Sequence, residues 1–302
     1  MDPQLRPFSA LQAEGWTSYD LRRAVAADEL VRLTRSVYAP VVQLSPRELH
    51  LRRAAALLST HRDSVVLSHA SAAIAHGLAV QHDNPPLVDL TTPPPGRGRR
   101  TPAYHLRCAR LEPDEVVSVG ELRVTSLART VADLARTTPF TWGVIVADQA
   151  LSAGTTRLEL SAAVEASSPA AGMARARQVV LFADARSESV AESASRVTIA
   201  RTGLPRPVPQ VPIEVDGRII ARGDFGWEDW KLIGEMDGEV KYRPGDDPDT
   251  TPEAVVAAQN RRQERIRQAG YWVTRWGWSQ AWDVGAMRHL LRTALEQQGW
   301  RP

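Results

Sequence analysis

A multi-domain α/β fold is what this sequence predicts, and three observations predict it. The chain has 302 residues, more than one hydrophobic core usually organises, so two or three domains are expected. Residues 5–42 read as helix, helix and hairpin. From about residue 181 strand-like and helix-like periods alternate, in an α/β order. The composition is globular, 43% hydrophobic and 24% charged, which argues against a disordered chain.

The first block, 5–42, has the order of a winged helix-turn-helix. "FSALQAEG" (8–15) is a short helix ended by Gly15. "TSYDLRRAVAADEL" (17–30) follows, with Thr17 as N-cap and Asp20 at the capping-box position. Leu21, Val25 and Leu30 form its apolar stripe, which leaves Arg22 and Arg23 outward. "LVRLTRSVYAP" (30–40) alternates apolar and basic residues, as a half-exposed strand pair does. Arg32, Arg35 and Tyr38 then fall on or near the wing. Such an element places a helix in the major groove while arginines neutralise phosphates; the same arginines also fit an ordinary solvated face.

The second block, 43–180, reads as a mixed α/β domain. "SPRELHLRRAAALLST" (45–60) is a helix opened by Ser45 and Pro46, and "SHASAAIAHGL" (68–78) is another, stopped at Gly77. "PLVDLTT" runs as a strand into the loop "PPPGRGRR" (93–100), whose arginines suit phosphate. "AYHLRCARL" and "LRVTS" are further strands, before a helix over 126–137 with Leu127, Val131 and Leu134 on one face. His69 and His76 share a helical face, but no third metal ligand accompanies them.

The third block, 181–302, is expected to run helix (187–202), loop, strand (211–216), strand (218–227), strand (231–237), helix (252–269), strand (271–276), helix (283–298). It holds seven of the nine tryptophans, Trp227 to Trp300. They suit packing, and "RWGW" (275–278) also suits stacking on unpaired bases.

Charge and cysteine content bound the partners. Of 37 basic residues 2 are lysines, Lys231 and Lys241, and 35 are arginines; 35 acids leave a net charge of +2. An anionic partner is permitted, though its surface has to come from local clustering. The single cysteine, Cys108, excludes an intrachain disulfide. The N-terminus lacks a basic segment followed by an apolar core, and no run approaches the roughly 20 apolar residues of a membrane span. A cytoplasmic protein with no membrane partner is the expectation.

One constellation carries chemistry. "IIARGDFGW" ends near Asp224, "EDW" turns the chain, and "KLIGEMDG" returns, so Asp224 lies opposite or diagonal to Glu235. Period two puts Glu235 and Asp237 on one face with Ile233. Three close carboxylates need neutralising, and a hard divalent cation does this while activating water against a phosphodiester. Lys241 stands near enough in sequence to stabilise charge on the phosphate.

"DF" (224–225), "EMDG" (235–238) and Lys241 resemble the PD-(D/E)xK nucleases, in the branch similar to very-short-patch-repair endonucleases. "ESASR" (192–196), "LPRPVPQ" (204–210) and "RRQERIRQAGYWVTRW" (261–276) resemble the first helix, the glutamine before the first strand, and the later helix and strand of that branch. The resemblance implies a C-terminal restriction-endonuclease-like α/β domain. It also implies Mg2+ (or Mn2+) on Asp224 and Glu235, assisted by Glu192 and Gln210; the spacing of the three carboxylates adds Asp237 as a third ligand or base. Two departures stand beside it: Asp237 holds the position of the family's lysine, and Glu192 also suits a capping box with Ser189 and an i,i+4 pair with Arg196.

"LRRAVAADELVRLTRSVYAP" (21–40), "LSHASAAIAHGL" (67–78) and "VTSLARTVADLAR" (124–136) resemble actinobacterial proteins with an AbiEi-type antitoxin winged-helix domain. That implies DNA as a partner and a cognate toxin as a further one. The expected function is a DNA-binding, magnesium-dependent endonuclease. The alternatives are an antitoxin-type transcriptional regulator with an inactive nuclease-like domain, and an interaction module without nucleic acid.

Overall fold

The computed structural model describes residues 4–61, 65–82, 85, 87–167, 169–237 and 264–302. Lys241, and the expected helix over 252–269 as far as residue 263, lie outside them. The fold is mixed α/β in two compact units, Met1–Ala183 and Asp184–Pro302.

The first unit opens with β1 (Arg6–Pro7), α1 (Phe8–Ala13), α2 (Ser18–Ala26), β2 (Leu30–Arg32) and β3 (Val37–Pro40). Gly15 turns the chain between the helices at a φ of 92°, where a side chain would be strained. Thr17 and Asp20 form the expected capping box. The helix ends at Ala26 rather than at 30, and Asp28 follows at a left-handed φ of 55°. The expected hairpin gains a third strand, in the order β1-β3-β2. Leu11, Leu21, Ala24, Leu30 and Tyr38 form one small core, and Leu5, Leu33, Val37 and Ala39 form a second with Ala56.

Ala56 belongs to α3 (Pro46–Leu58), capped by Ser45 as expected. The same helix sends Ala54 and Leu57 into the next core, with Leu67, Leu90 and Val124. Segments 5–42 and 43–180 therefore share a helix inside one unit. That unit continues through β4 (Val66–Leu67), α4 (His69–Ala75), β5 (Val88–Thr92), β6 (Arg99–Arg100), β7 (Tyr104–Cys108), β8 (Val116–Val119) and β9 (Leu122–Thr125). The six strands order as β6-β7-β5-β4-β9-β8. Four helices complete it: α5 (Leu127–Thr137), α6 (Phe140–Ser152), α7 (Arg157–Ala166) and α8 (Met173–Phe182).

The second unit runs α9 (Val190–Thr202), β10 (Val208–Val215), β11 (Arg218–Trp227), a 3-10 turn (Glu228–Trp230) and β12 (Leu232–Met236). It continues with α10, helical over 264–268, then β13 (Trp272–Trp276), α11 (Trp278–Trp282) and α12 (Val284–Gln297). The sheet order is β10-β11-β12-β13, antiparallel except for the parallel β12–β13 pair. Val211, Ile213 and Ile233 pack with Ile266 of α10. On α9, Ser195 accepts the indole N–H of buried Trp276 at 2.8 Å, and Thr198 donates to the carbonyl of Ala281 in α11 at 2.7 Å. No helix among the described residues is long and apolar enough to cross a membrane.

Candidate functional site

The expected hairpin forms, and its register decides which acids meet. Trp227 pairs with Leu232, Gly226 with Ile233 and Phe225 with Gly234. One step further along this ladder puts Asp224 across from Glu235. There the backbone ladder gives way to a side chain: Oδ2 of Asp224 accepts the N–H of Met236 at 2.9 Å.

A kink in the neighbouring strands centres on the same position. A Cβ at Gly226 would come within 2.4 Å of Val211, and one at Gly223 within 2.6 Å of Ile233. Both glycines thus face one apolar cluster although they are three residues apart, which period-two alternation forbids. The strand bends between them, at Asp224. Across on β10, Gln210 lies between the pairs Pro209–Phe225 and Val211–Gly223 and takes a left-handed φ of 52°.

Gln210 spends its amide on Glu192, donating to Oε2 at 2.8 Å. That carboxylate also accepts the Glu188 N–H at 3.0 Å and the Ser189 hydroxyl at 2.9 Å, while Ser189 caps α9. Glu192 is therefore a buried joint between the start of α9 and the β10 kink. Arg196 donates to Ser187 at 3.3 Å.

At the opposite edge of the sheet Glu235 meets Arg275, its register partner on parallel β13. Nε and Nη2 of Arg275 reach the same oxygen, Oε2, at 3.0 and 2.7 Å. Nε also stands 4.0 Å from Oδ1 of Asp237. This differs from the three-carboxylate cluster expected of Asp224, Glu235 and Asp237. Among the described residues no group of three His, Cys, Asp or Glu side chains is gathered to hold a metal ion. Arg275 stands between two of the three acids instead, and no local pattern of the sequence relates it to them.

The two histidines meet protein groups instead. The ring of His76 bonds the carbonyl of Thr125 through Nε2 at 2.7 Å. His69 is buried, with Nδ1 3.0 Å from the Ser68 hydroxyl and 3.9 Å from Asp133. Burial pushes the His69 pKa down to about 4, against the smaller upward pull of Asp133.

In the first unit Arg22, Arg23 and Arg35 are exposed as expected. Tyr19, one helical turn before Arg22 and Arg23, is 66% exposed and adds an aromatic ring to that face. One wing residue differs from expectation, while Arg32 is exposed on β2 as expected. Tyr38 is core, 8% exposed, because β3 is the central strand of its sheet. Arg32 closes the hairpin, donating to the carbonyls of Thr34 at 3.1 Å and Arg35 at 2.8 Å.

Two curated proteins of Mycobacterium tuberculosis match part of this chain: the uncharacterized protein Rv2248 of strain H37Rv and the uncharacterized protein MT2308 of strain CDC 1551. Each is 35% identical over 122 residues, 40% of this chain and 45% of the relative. The match thus spans less than half the length of these relatives. Among solved structures, the RV2827C protein of Mycobacterium tuberculosis aligns with a TM-score of 0.41 and 13% identity, over 60% of this chain and 77% of that one. No protein-family model matches the chain.

Proposed function

We propose that the C-terminal unit is a metal-dependent nuclease acting on DNA, with α2 and the hairpin of the first unit holding the nucleic acid. The observation that carries this reading is the pair Asp224 and Glu235, on adjacent strands where the ladder opens. Magnesium is ordinarily held by one or two carboxylates together with waters and substrate phosphates, so this hard oxygen pair suits Mg2+ or Mn2+. Such an ion supplies phosphoryl polarisation and an acidified water. Asp224 and Glu235 would hold it. Arg275 offers a fixed positive charge to the phosphate. Glu192 and Gln210 are positioning residues that fix the β10 kink beside Asp224. A reducing cytoplasm agrees with a DNA substrate and an exposed free thiol at Cys108.

The test is incubation of the purified chain with plasmid and single-stranded DNA in Mg2+ or Mn2+, beside Asp224→Ala. Losing a residue that merely orients a metal ligand already costs roughly 10–100-fold, so loss of a ligand should slow cutting at least that much. Equal cutting by the two proteins would remove Asp224 from the reading.

A second reading, a DNA-binding regulator of antitoxin type with a silent C-terminal unit, is favoured by one observation: Asp237 occupies the motif's lysine position and approaches Arg275. It predicts that retardation of promoter DNA survives Asp224→Ala and weakens with Arg22→Ala, Arg23→Ala and Arg35→Ala. For every phosphate left without its arginine, the slope of log K against log salt should become shallower by about 0.9. Retardation indifferent to those arginines counts against it.

A further inference from the structure

The acids of the candidate site already have a counter-charge within the chain. Glu235 has a side chain 6% exposed, Arg275 27% and Asp237 52%, so one guanidinium runs from a buried carboxylate to an exposed one. A carboxylate as buried as Glu235 is costly unless paired, and a guanidinium stays charged at every accessible pH. Both N–H groups of Arg275 converge on Oε2 of Glu235, the register partner that parallel pairing places beside it. A divalent ion binding Glu235 competes with them, because two cations on one carboxylate repel each other at contact distance.

We propose that Arg275 is a resident counter-cation that competes with the divalent ion for Glu235. It keeps the Glu235–Asp237 end of β12 folded without metal, and it transfers to the substrate phosphate once the ion takes the carboxylate. The transfer to phosphate rests on the nuclease reading; the competition for Glu235 does not. Arg275 is thereby a positioning residue whose removal tightens metal binding while it destabilises the metal-free chain.

The experiment uses the full chain without DNA: thermal unfolding in EDTA and in saturating Mg2+, with calorimetric Mn2+ titration, for wild type, Arg275→Gln and Arg275→Lys. Wild type should gain less in unfolding temperature from Mg2+ than Arg275→Gln gains, since the weaker binder is stabilised less by the same ion. Arg275→Gln should unfold earlier in EDTA, recover in Mg2+, and bind Mn2+ about tenfold more tightly, equivalent to about 1.4 kcal/mol. Adding Glu235→Gln to Arg275→Gln should abolish both the rescue and the tighter binding. If Arg275→Gln fails to fold in EDTA, Arg275→Lys, which keeps a charge but loses the paired donors, should fold and bind Mn2+ between the other two.

A wild-type unfolding temperature in Arg275→Gln overturns the proposal. So does a lowered temperature that Mg2+ leaves unchanged, or an Mn2+ affinity no greater than wild type. Because no readout involves cutting, an inactive wild type sinks the nuclease reading and leaves this one standing.

Discussion

His69 shows how burial fixes the behaviour of a single titratable side chain. Burial keeps His69 neutral, because its ring would lose water on taking a charge, and its nearest acid, Asp133, accepts from Arg129 and Arg136 at 3.2 Å. Asp133 and Asp89 favour a proton on His69, Arg107 and Arg136 oppose it, and desolvation outweighs them all. The native pKa, about 4, is below the ordinary 6.5, so the unfolded chain takes up a proton that the folded chain refuses. This contribution to stability is complete above pH 6.5 and is lost as pH falls toward 4, at up to about 1.4 kcal/mol per pH unit. Hydrogen exchange of α4 and α5 across that range should show the slope in wild type and a shallower one in His69→Gln. Identical slopes would place the acid sensitivity elsewhere.

Glycines set the shape of the elements that carry the candidate site. The Cα hydrogen of Gly234 faces Trp276, and a Cβ there would stand 2.5 Å from the buried indole and 3.1 Å from Trp227. Neither ring can withdraw: Trp276 is held by Ser195 and stacks at 5.2 Å on Phe225, and Trp227 donates to the carbonyl of Pro205 at 2.8 Å. Gly234→Ala should therefore destabilise by about 1–3 kcal/mol, read as a lower unfolding temperature with α2 and its hairpin unaffected. An unchanged temperature would mean that the sheet yields more easily than this packing implies. The helix caps are gentler devices. Thr17→Ala removes the capping oxygen of α2 and should cost about 1 kcal/mol of local stability, seen as faster amide exchange in its first turn.

Across the molecule, shared cores decide what folds alone. Each compact unit has its own apolar interior: Leu67, Leu90 and Val124 among others in the first, Val211, Ile213 and Ile233 in the second. Residues 184–302 expressed separately should unfold cooperatively, whereas residues 1–42 should not, because Ala56 of α3 completes the core around Leu5 and Val37. Far-ultraviolet circular dichroism during denaturant titration measures both; a cooperative transition in the short fragment would restore the boundary near residue 42.

Local signals were legible along the chain. Thr17 with Asp20 announces a helix start by three-residue spacing, Ser45 with Pro46 announces another by its cap and first-turn residues, and the hairpin facing Asp224 toward Glu235 follows from period-two alternation around a tight turn. Two-residue strands such as β1 and β4 were not legible, because so few residues carry no period. Nor was Tyr38 as core, since a central and an edge strand of a small hairpin look alike until β1 arrives to pair with β3. Which residues bear charge, and which segments become helix or strand, is written in the order of the amino acids, since both depend on neighbours a few positions apart. That Arg275, 40 residues from Glu235, is the cation beside it emerges only on folding, because parallel pairing of β12 with β13 joins segments that no local pattern relates.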